Sequence, residues 1–237
     1  MDAWLHRETV EQYIRCQRAN QDYVERPALE SVIPSLSGMH VVDLGAGSGD
    51  WAHRVLQWGA DQVTAVEPSP AMREFSVPDP RIHWVAELME QVSFEPGSVD
   101  CVLSIRTFHY VESCELVFTH IYEWLRSGGS LVLSVEHPLK YANRSGMWIR
   151  DNASQASAWP IDAYLEEGPR PEDREGITLT KWHRPVSFYV QKLIDIGFCL
   201  RAVLEPDITD EGRHQRPDVA AELRCRPAVL IVRADKP

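Results

Sequence analysis

Residues 41–50 read VVDLGAGSGD, and this stretch decides the fold. An apolar run stops at Asp43, and glycines then fall at alternate positions, Gly45, Gly47 and Gly49. Upstream, HVVDL reads as a buried strand; downstream, DWAHRVLQW reads as a helix that Gly59 can terminate. Glycines at such a turn let a ligand approach bare main chain, and the helix start presents free N–H groups to it. The dinucleotide fingerprint GxGxxG requires its third glycine at position 50, where this chain has Asp50. Two carboxylates, Asp43 and Asp50, flank the turn; they repel a diphosphate and suit a cation.

Outward from this turn, strands and helices alternate. QVTAV is a second strand, and in SPAMREF Ser69 can cap a helix with Pro70 in its first turn. IHWV and VDCVLSI follow as strands three and four, ELVFTHIYEWLRSGG as a helix closed by glycines, and SLVLSV as the fifth strand. Such a succession predicts parallel strands with right-handed crossovers. Residues 1–37 read as an N-terminal helical cover, with Pro27 opening a second helix, and 38–137 as the ligand-binding core. Residues 138–185 are rich in Gly, Pro, Ser and charge but hold Trp148, Trp159, Tyr164 and Trp182, which points to an ordered insertion, a lid or wall over a site; the alternative is an irregular surface excursion that packs its own aromatics. In 186–237 a helix, VSFYVQKLIDIG, precedes two strands, FCLRAVLEP and PAVLIVR, joined by a polar loop and able to pair antiparallel at the sheet edge. The fold class is α/β: Rossmann-like and doubly wound, with a mostly parallel seven-stranded sheet, helices on both faces and an antiparallel edge strand, in a single domain.

A formal charge of −11 over 237 residues opposes a phosphate-backbone partner, so no nucleic acid is expected. No apolar run reaches the length of a membrane span, and the polar start is no secretory signal. The five cysteines (Cys16, Cys101, Cys114, Cys199, Cys225) lack CxxC spacing and read as reduced thiols, without disulfides or a metal site. A soluble cytoplasmic monomer or homodimer is the expectation.

The motif VVDLGAGSG resembles the first motif of class I S-adenosylmethionine-dependent methyltransferases, especially the small-molecule branch similar to ubiquinone/menaquinone-biosynthesis-type enzymes. AELMEQVSFEPGSVDCVLSIRTFHYV and LRSGGSLVLSVEHP resemble further family segments, Ser127 replacing the common proline. The resemblance implies S-adenosyl-L-methionine as cofactor and S-adenosyl-L-homocysteine as product. It places the methionine half, cationic at sulfonium and ammonium, by Asp43, Gly45, Ala46, Gly47 and Gly49. It puts the ribose by Glu67 and Pro68 after the second strand, and the adenine by Glu87 and Leu88. Ser104 at the fourth strand's end and Tyr23 in the helical cover complete the set; Tyr13 is a second candidate from that cover, and core packing explains either tyrosine equally well.

Methyl transfer from a sulfonium is an in-line displacement needing alignment and exclusion of water. A hydroxyl acceptor adds the need for a general base, whereas a neutral amine does not. His109 and Tyr110, beyond the fourth strand, stand where a parallel sheet presents its chemistry, with His137 after the fifth strand as a further candidate. His109 is assigned to orienting the acceptor or removing its proton; its alternative is a local hydrogen bond that shapes the pocket. His137 has an alternative as the anchor of the insertion, and Arg106 can bind an anionic group or form a salt bridge. SIRTF replaces the NPPY-like motif of nucleic-acid and glutamine N-methyltransferases, leaving a small metabolite methylated on oxygen or nitrogen, less readily carbon. Two alternatives stand beside this reading: a protein that binds the sulfonium without transferring methyl, as a catalyst of another reaction or a sensor, and an NAD-dependent oxidoreductase, which Asp43 and Asp50 oppose.

Overall fold

The computed structural model describes residues 7, 8, 10, 11, 14, 21–152, 154, 156–174 and 177–237; Tyr13 and Cys16 lie outside the described residues. The strands are β1 (His40–Leu44), β2 (Gln62–Val66), β3 (Ile82–Val85), β4 (Val99–Ile105), β5 (Leu125–Glu136), β6 (Ile149–Arg150), β7 (Ala156–Ala158), β8 (Gly168–Arg174), β9 (Ile177–His183), β10 (Cys199–Leu204) and β11 (Val229–Asp235). Seven of them form one sheet in the order β10-β11-β5-β4-β1-β2-β3. Every neighbouring pair is parallel except those of β11, which runs antiparallel to β5 and β10. The two C-terminal strands thus pair antiparallel at one end of the sheet, as the sequence suggests.

The helices that lie wholly within the described residues include α1 (Arg26–Val32), α2 (Asp50–Gln57), α3 (Pro70–Arg73), α4 (Cys114–Trp124), α5 (Val186–Ile196), α6 (Asp210–Gln215) and α7 (Pro217–Leu223), with a π-helical turn, Gln21–Glu25, before α1. Strand pleating sends alternate side chains to opposite faces. Val42, Leu44 and Val102 pack with Phe118 and Ile121 of α4 and Leu193 of α5. Val41 and Leu103 pack with Leu29 of α1 and with Trp51 and Val55 of α2. Both faces are therefore covered, which is why β1 reads as a continuous apolar run.

Local signals act as expected at several ends. Ser69 Oγ accepts a hydrogen bond from the Met72 N–H at 3.0 Å, capping α3. Gly197, φ +114°, ends α5 in the left-handed region that glycine tolerates. Two expectations need correction. The helix over ELVFTHIYEWLRSGG stops at Trp124, because Leu125 is extended and already belongs to β5. Gly129 acts within that strand: a Cβ there would lie 2.9 Å from the Arg126 carbonyl oxygen and 3.0 Å from that of Asp100. The polar loop before β11 contains α6 and α7, too short to show an apolar period. Thr209 Oγ1 caps α6 by accepting from the Gly212 N–H at 3.1 Å, and Pro217 opens α7.

The 138–185 segment forms two antiparallel hairpins, β6–β7 and β8–β9. Trp148 and Trp159 pack together with ring centroids 4.6 Å apart. The indole of Trp159 donates to the Leu139 carbonyl at 2.7 Å. Both tryptophans are half-buried, so they tie the start of the segment together without forming a closed interior. No helix among the described residues is long and apolar enough to cross a membrane.

Candidate active site

Strands β1 and β4 are neighbours from which the chain winds in opposite directions, so the crevice at their C-terminal ends is the switch point of the sheet. An open cleft lies there, lined by Ile14, Gln21, Asp43, Gly45, Ala46, Gly47, Ser48, Asp50, Trp51, Met72, Ile105 and Arg106. The loop is tied down by the Gly45 and Ala46 N–H groups, which donate to the Val66 carbonyl at 2.8 and 3.1 Å. Gly45 has φ +76°, and a Cβ on it would meet Thr107 Cγ2 at 2.3 Å, so only glycine fits.

Asp43 is almost fully buried, and its Oδ2 has no hydrogen-bond partner among the described residues. Burial, reinforced by the nearby Glu67 carboxylate, pushes its pKa up to about 7. A buried carboxylate oxygen without a donor is costly, and an arriving cation relieves that cost. The glycine cradle and this unsatisfied acid together fit the methionine end of S-adenosylmethionine and oppose a diphosphate.

Glu67 lies behind the loop. Its Oε2 accepts from the Gly47 N–H at 2.9 Å and its Oε1 from the Ser69 N–H at 2.8 Å. Burial raises its pKa, while these two N–H groups oppose the rise. Gly49 (φ +82°) starts α2, and a Cβ there would stand 3.1 Å from the Trp84 ring. The structure does not bring the remaining cofactor candidates to the lining of this cleft. Pro68 and Glu87 are exposed, and Leu88 is half-buried with its carbonyl accepting from Gln91 and Val92. Ser104 is buried and spends its hydroxyl on the Leu44 carbonyl at 3.0 Å, joining β4 to β1. Tyr23 belongs to a separate apolar cluster with Ile208, Val219 and Ala220, because α6 and α7 dock on the π-helical turn. Among the described residues, the helical cover reaches the cleft through Ile14, one of its periodic apolar positions, and through Gln21, which periodicity does not single out.

Beyond β4, His109 is almost fully buried and its Nδ1 accepts from the Glu136 N–H at 3.3 Å. Burial and then Lys181 hold its pKa well below the usual histidine range, against the pull of Glu136. The ring is therefore neutral, with its proton on Nε2, 3.8 Å from Glu136 Oε2. This tautomer presents a donor, suited to orienting an acceptor atom and unsuited to taking its proton. Tyr110 stacks on His109 and lies beneath Lys181, whose Nζ is 4.1 Å from the tyrosine ring centre. His137 has both ring nitrogens engaged: Nδ1 accepts from the Leu139 N–H at 3.2 Å, and Nε2 meets Glu205 Oε1 at 2.8 Å. It anchors the start of the insertion, the alternative open at this residue.

A buried ionic cluster, which no motif announces, joins these residues. Lys181 of β9 lies 2.9 Å from Glu136 Oε2 and 3.5 Å from Glu172 Oε2; Lys140 bridges the same two carboxylates at 3.1 and 2.7 Å. Tyr141 donates to Glu136. Burial works against ionisation of Glu136, but Lys181 and Lys140 outweigh it and hold the carboxyl well below its ordinary range. The β8–β9 hairpin is thereby fastened over the C-terminal end of β5.

Comparison with known proteins agrees with this geometry. A family profile described as "Methyltransferase domain" matches residues 42–133. The crystal structure of an S-adenosylmethionine-dependent methyltransferase from Mesorhizobium loti superposes with a TM-score of 0.82 at 34% identity, covering 90% of this chain and 97% of that one. A Listeria monocytogenes protein assigned to the same enzyme class gives 0.83 at 30% identity, covering 90% and 96%. A tRNA U34 carboxymethyltransferase from Pseudoalteromonas atlantica is 28% identical over 145 residues, which is 54% of this chain and 44% of that relative. With relatives at this identity matched over nearly their whole length, the chain belongs to the S-adenosylmethionine-dependent methyltransferases.

Proposed function

We propose that the protein methylates a small molecule, on oxygen or nitrogen, at the C-terminal ends of β4 and β5. The observation that carries this reading is the roof over that end of β5: the β8–β9 hairpin, held by Lys181 at 1% exposure against Glu136. Such a cover suits a small acceptor enclosed within the protein and opposes a folded polynucleotide, whose backbone the net charge of −11 also repels.

S-adenosylmethionine, when bound, supplies a methyl group on a positively charged sulfur whose departure leaves a neutral thioether. The chain's own part is to hold the donor on the glycine loop with Asp43 facing its cationic end. Glu67 keeps lone pairs beyond its two backbone bonds and receives the ribose hydroxyls. His109 donates from Nε2 to a polar atom of the acceptor other than the attacking one, so that the attacking lone pair stays free; the proton released on methylation passes to solvent after transfer, and the roof limits competition from water at the methyl group.

Incubating the protein with methyl-labelled S-adenosylmethionine and, in parallel, with a low-molecular-mass cell extract or total tRNA tests the proposal. Label is expected in the small-molecule fraction. Label confined to tRNA would overturn the small-molecule reading, in line with the likeness to the tRNA U34 carboxymethyltransferase.

A further inference from the structure

Several arginines that turn into the fold find close partners. Arg106 meets Glu25 at 2.6 Å, Arg184 donates to the Val111 and Glu112 carbonyls at 2.8 and 2.6 Å, and Arg233 meets Asp235 at 3.1 Å. Arg226, half-buried just before β11, does not. We infer that Arg226, set against Trp148 and Trp159 of the insertion, binds an oxyanion group carried by the methyl acceptor, which makes the acceptor a small organic anion. The inference deepens the small-molecule reading above and rests on it.

The guanidinium is fixed by its faces and left open at one edge. Its Cζ lies 4.6 Å from the centre of the Trp159 ring and 5.2 Å from that of Trp148. Those rings are tilted 59° to each other, and Trp159 is itself tied to the Leu139 carbonyl at 2.7 Å. Such cation–π contacts hold the plane of a guanidinium but satisfy none of its in-plane donors. Of those donors, Nη1 reaches only the adjacent Pro227 carbonyl, at a long 3.4 Å. Nε is buried with no acceptor, and among the described residues nothing accepts from Nη2. Burial lowers the pKa of Arg226; Glu222 and Glu136 oppose this from a distance, and neither forms an ion pair with it. A guanidinium desolvated without an acceptor is costly, and an entering oxyanion offsets that cost. The Nε–Nη2 edge can take both oxygens of a carboxylate or a phosphate.

Chain connectivity ties this edge to the end of the sheet where the acceptor is held. Val229, just downstream, pairs with Glu136 in the β11–β5 register, and the His137 N–H donates to the Ala228 carbonyl at 2.9 Å. Arg226 therefore stands by the C-terminal end of β5, where His109 Nε2 lies 3.8 Å from Glu136 Oε2. The ionic cluster beneath the hairpin is balanced within itself, Lys140 and Lys181 against Glu136 and Glu172, and spares no carboxylate for Arg226. Glu205 is taken by His137. An acceptor whose acid group lies on Arg226 and whose polar atom takes the His109 hydrogen bond is held at two points, which orients it as a lone histidine does not.

The test fractionates a low-molecular-mass cell extract on an anion-exchange resin and offers each fraction to the full chain with methyl-labelled S-adenosylmethionine. Label is expected from the retained fraction. Phosphatase treatment of that fraction separates the two sources of oxyanion: lost labelling marks a phosphate ester, persistent labelling a carboxylate. With the active fraction, Arg226→Gln is expected to raise the KM for acceptor by at least about tenfold, the range of a charged hydrogen bond, with S-adenosylhomocysteine affinity unchanged. Arg226→Lys, keeping the charge and losing the planar edge, falls between. Inorganic phosphate should compete with the acceptor in the wild type and lose that effect in Arg226→Gln, a change that a merely structural arginine would not produce. Labelling from the unretained fraction alone, or an unaltered KM in a folded Arg226→Gln, would overturn the inference and leave small-molecule methylation standing. Label confined to tRNA would overturn both. Should the glutamine variant fail to fold, the lysine variant and the fractionated extract still decide.

Discussion

Asp43→Asn removes one ionisable group from the floor of the cleft, and its effect on stability has a sign that can be worked out. In the unfolded chain the carboxyl titrates near 3.8; in the fold, burial and Glu67 raise it to about 7. A raised carboxyl pKa means that the folded state binds the proton more tightly than the unfolded state. The ligand-free protein therefore keeps this contribution below about pH 4 and loses it progressively as pH climbs to 7. Each pH unit between those two values costs about 1.4 kcal/mol, which gives a loss of ~4 kcal/mol at pH 8 and ~2 kcal/mol at pH 5, as orders of magnitude.

The asparagine has its own burial cost, but that cost does not vary with pH. Urea unfolding of both proteins at pH 5 and pH 8 isolates the difference: the variant should gain about 3 kcal/mol relative to wild type between the two. In the same variant, S-adenosylhomocysteine should bind more weakly, and wild-type affinity should fall about tenfold per pH unit below 7, because only the carboxylate receives the ammonium. Parallel stability curves for the two proteins would refute the claim that Asp43 is an unsatisfied buried acid.

Gly45→Ala places a methyl group against Thr107 Cγ2 at a positive φ, so it should cost about 1–3 kcal/mol in chemical denaturation and abolish detectable ligand binding. His109→Gln, which can still donate a hydrogen bond, should retain far more turnover than His109→Ala at equal ligand affinity; equal collapse of both would return the role of base to this histidine. Lys181→Met removes one of the two lysines beside buried Glu136 and should destabilise by about 3–5 kcal/mol by urea melt. An unchanged midpoint would show that the hairpin is not fastened through this pair.

Much of this was legible in the sequence because each signal was local. The turn at 41–50 combines a buried strand, glycines at positive φ and a helix that starts directly after them, and all three appear where their patterns place them. The α6 and α7 helices escaped because elements of six and seven residues hold too few apolar positions for a period. Tyr23 escaped for a different reason: an aromatic residue on a helical cover faces whatever docks there, and α6 and α7 come from nearly two hundred residues downstream. The same limit applies to Glu25, whose partner Arg106 lies 81 residues away, and to Glu136 and Lys181, which pair with each other across 45 residues.

Those long-range partners determine how charge is distributed at the sheet's C-terminal edge. Along β4 and β5 the sequence shows isolated polar residues, Arg106, His109, Ser134 and Glu136, each of which would be costly if buried alone. The fold resolves them into two separate ionic groups: Glu25–Arg106–Ser134 beside the cofactor cleft, and Glu136–Lys140–Lys181–Glu172 beneath the hairpin. Among the carboxylates of the described residues, Asp43 alone is left with an unpartnered buried oxygen, at the foot of the glycine loop. A molecule that pairs its other buried acids internally but leaves this one open on the floor of a cleft has specified the charge of its ligand. On the proposed function, that is the physical reason a motif rich in glycine, with aspartate at both ends, would select a sulfonium over a diphosphate.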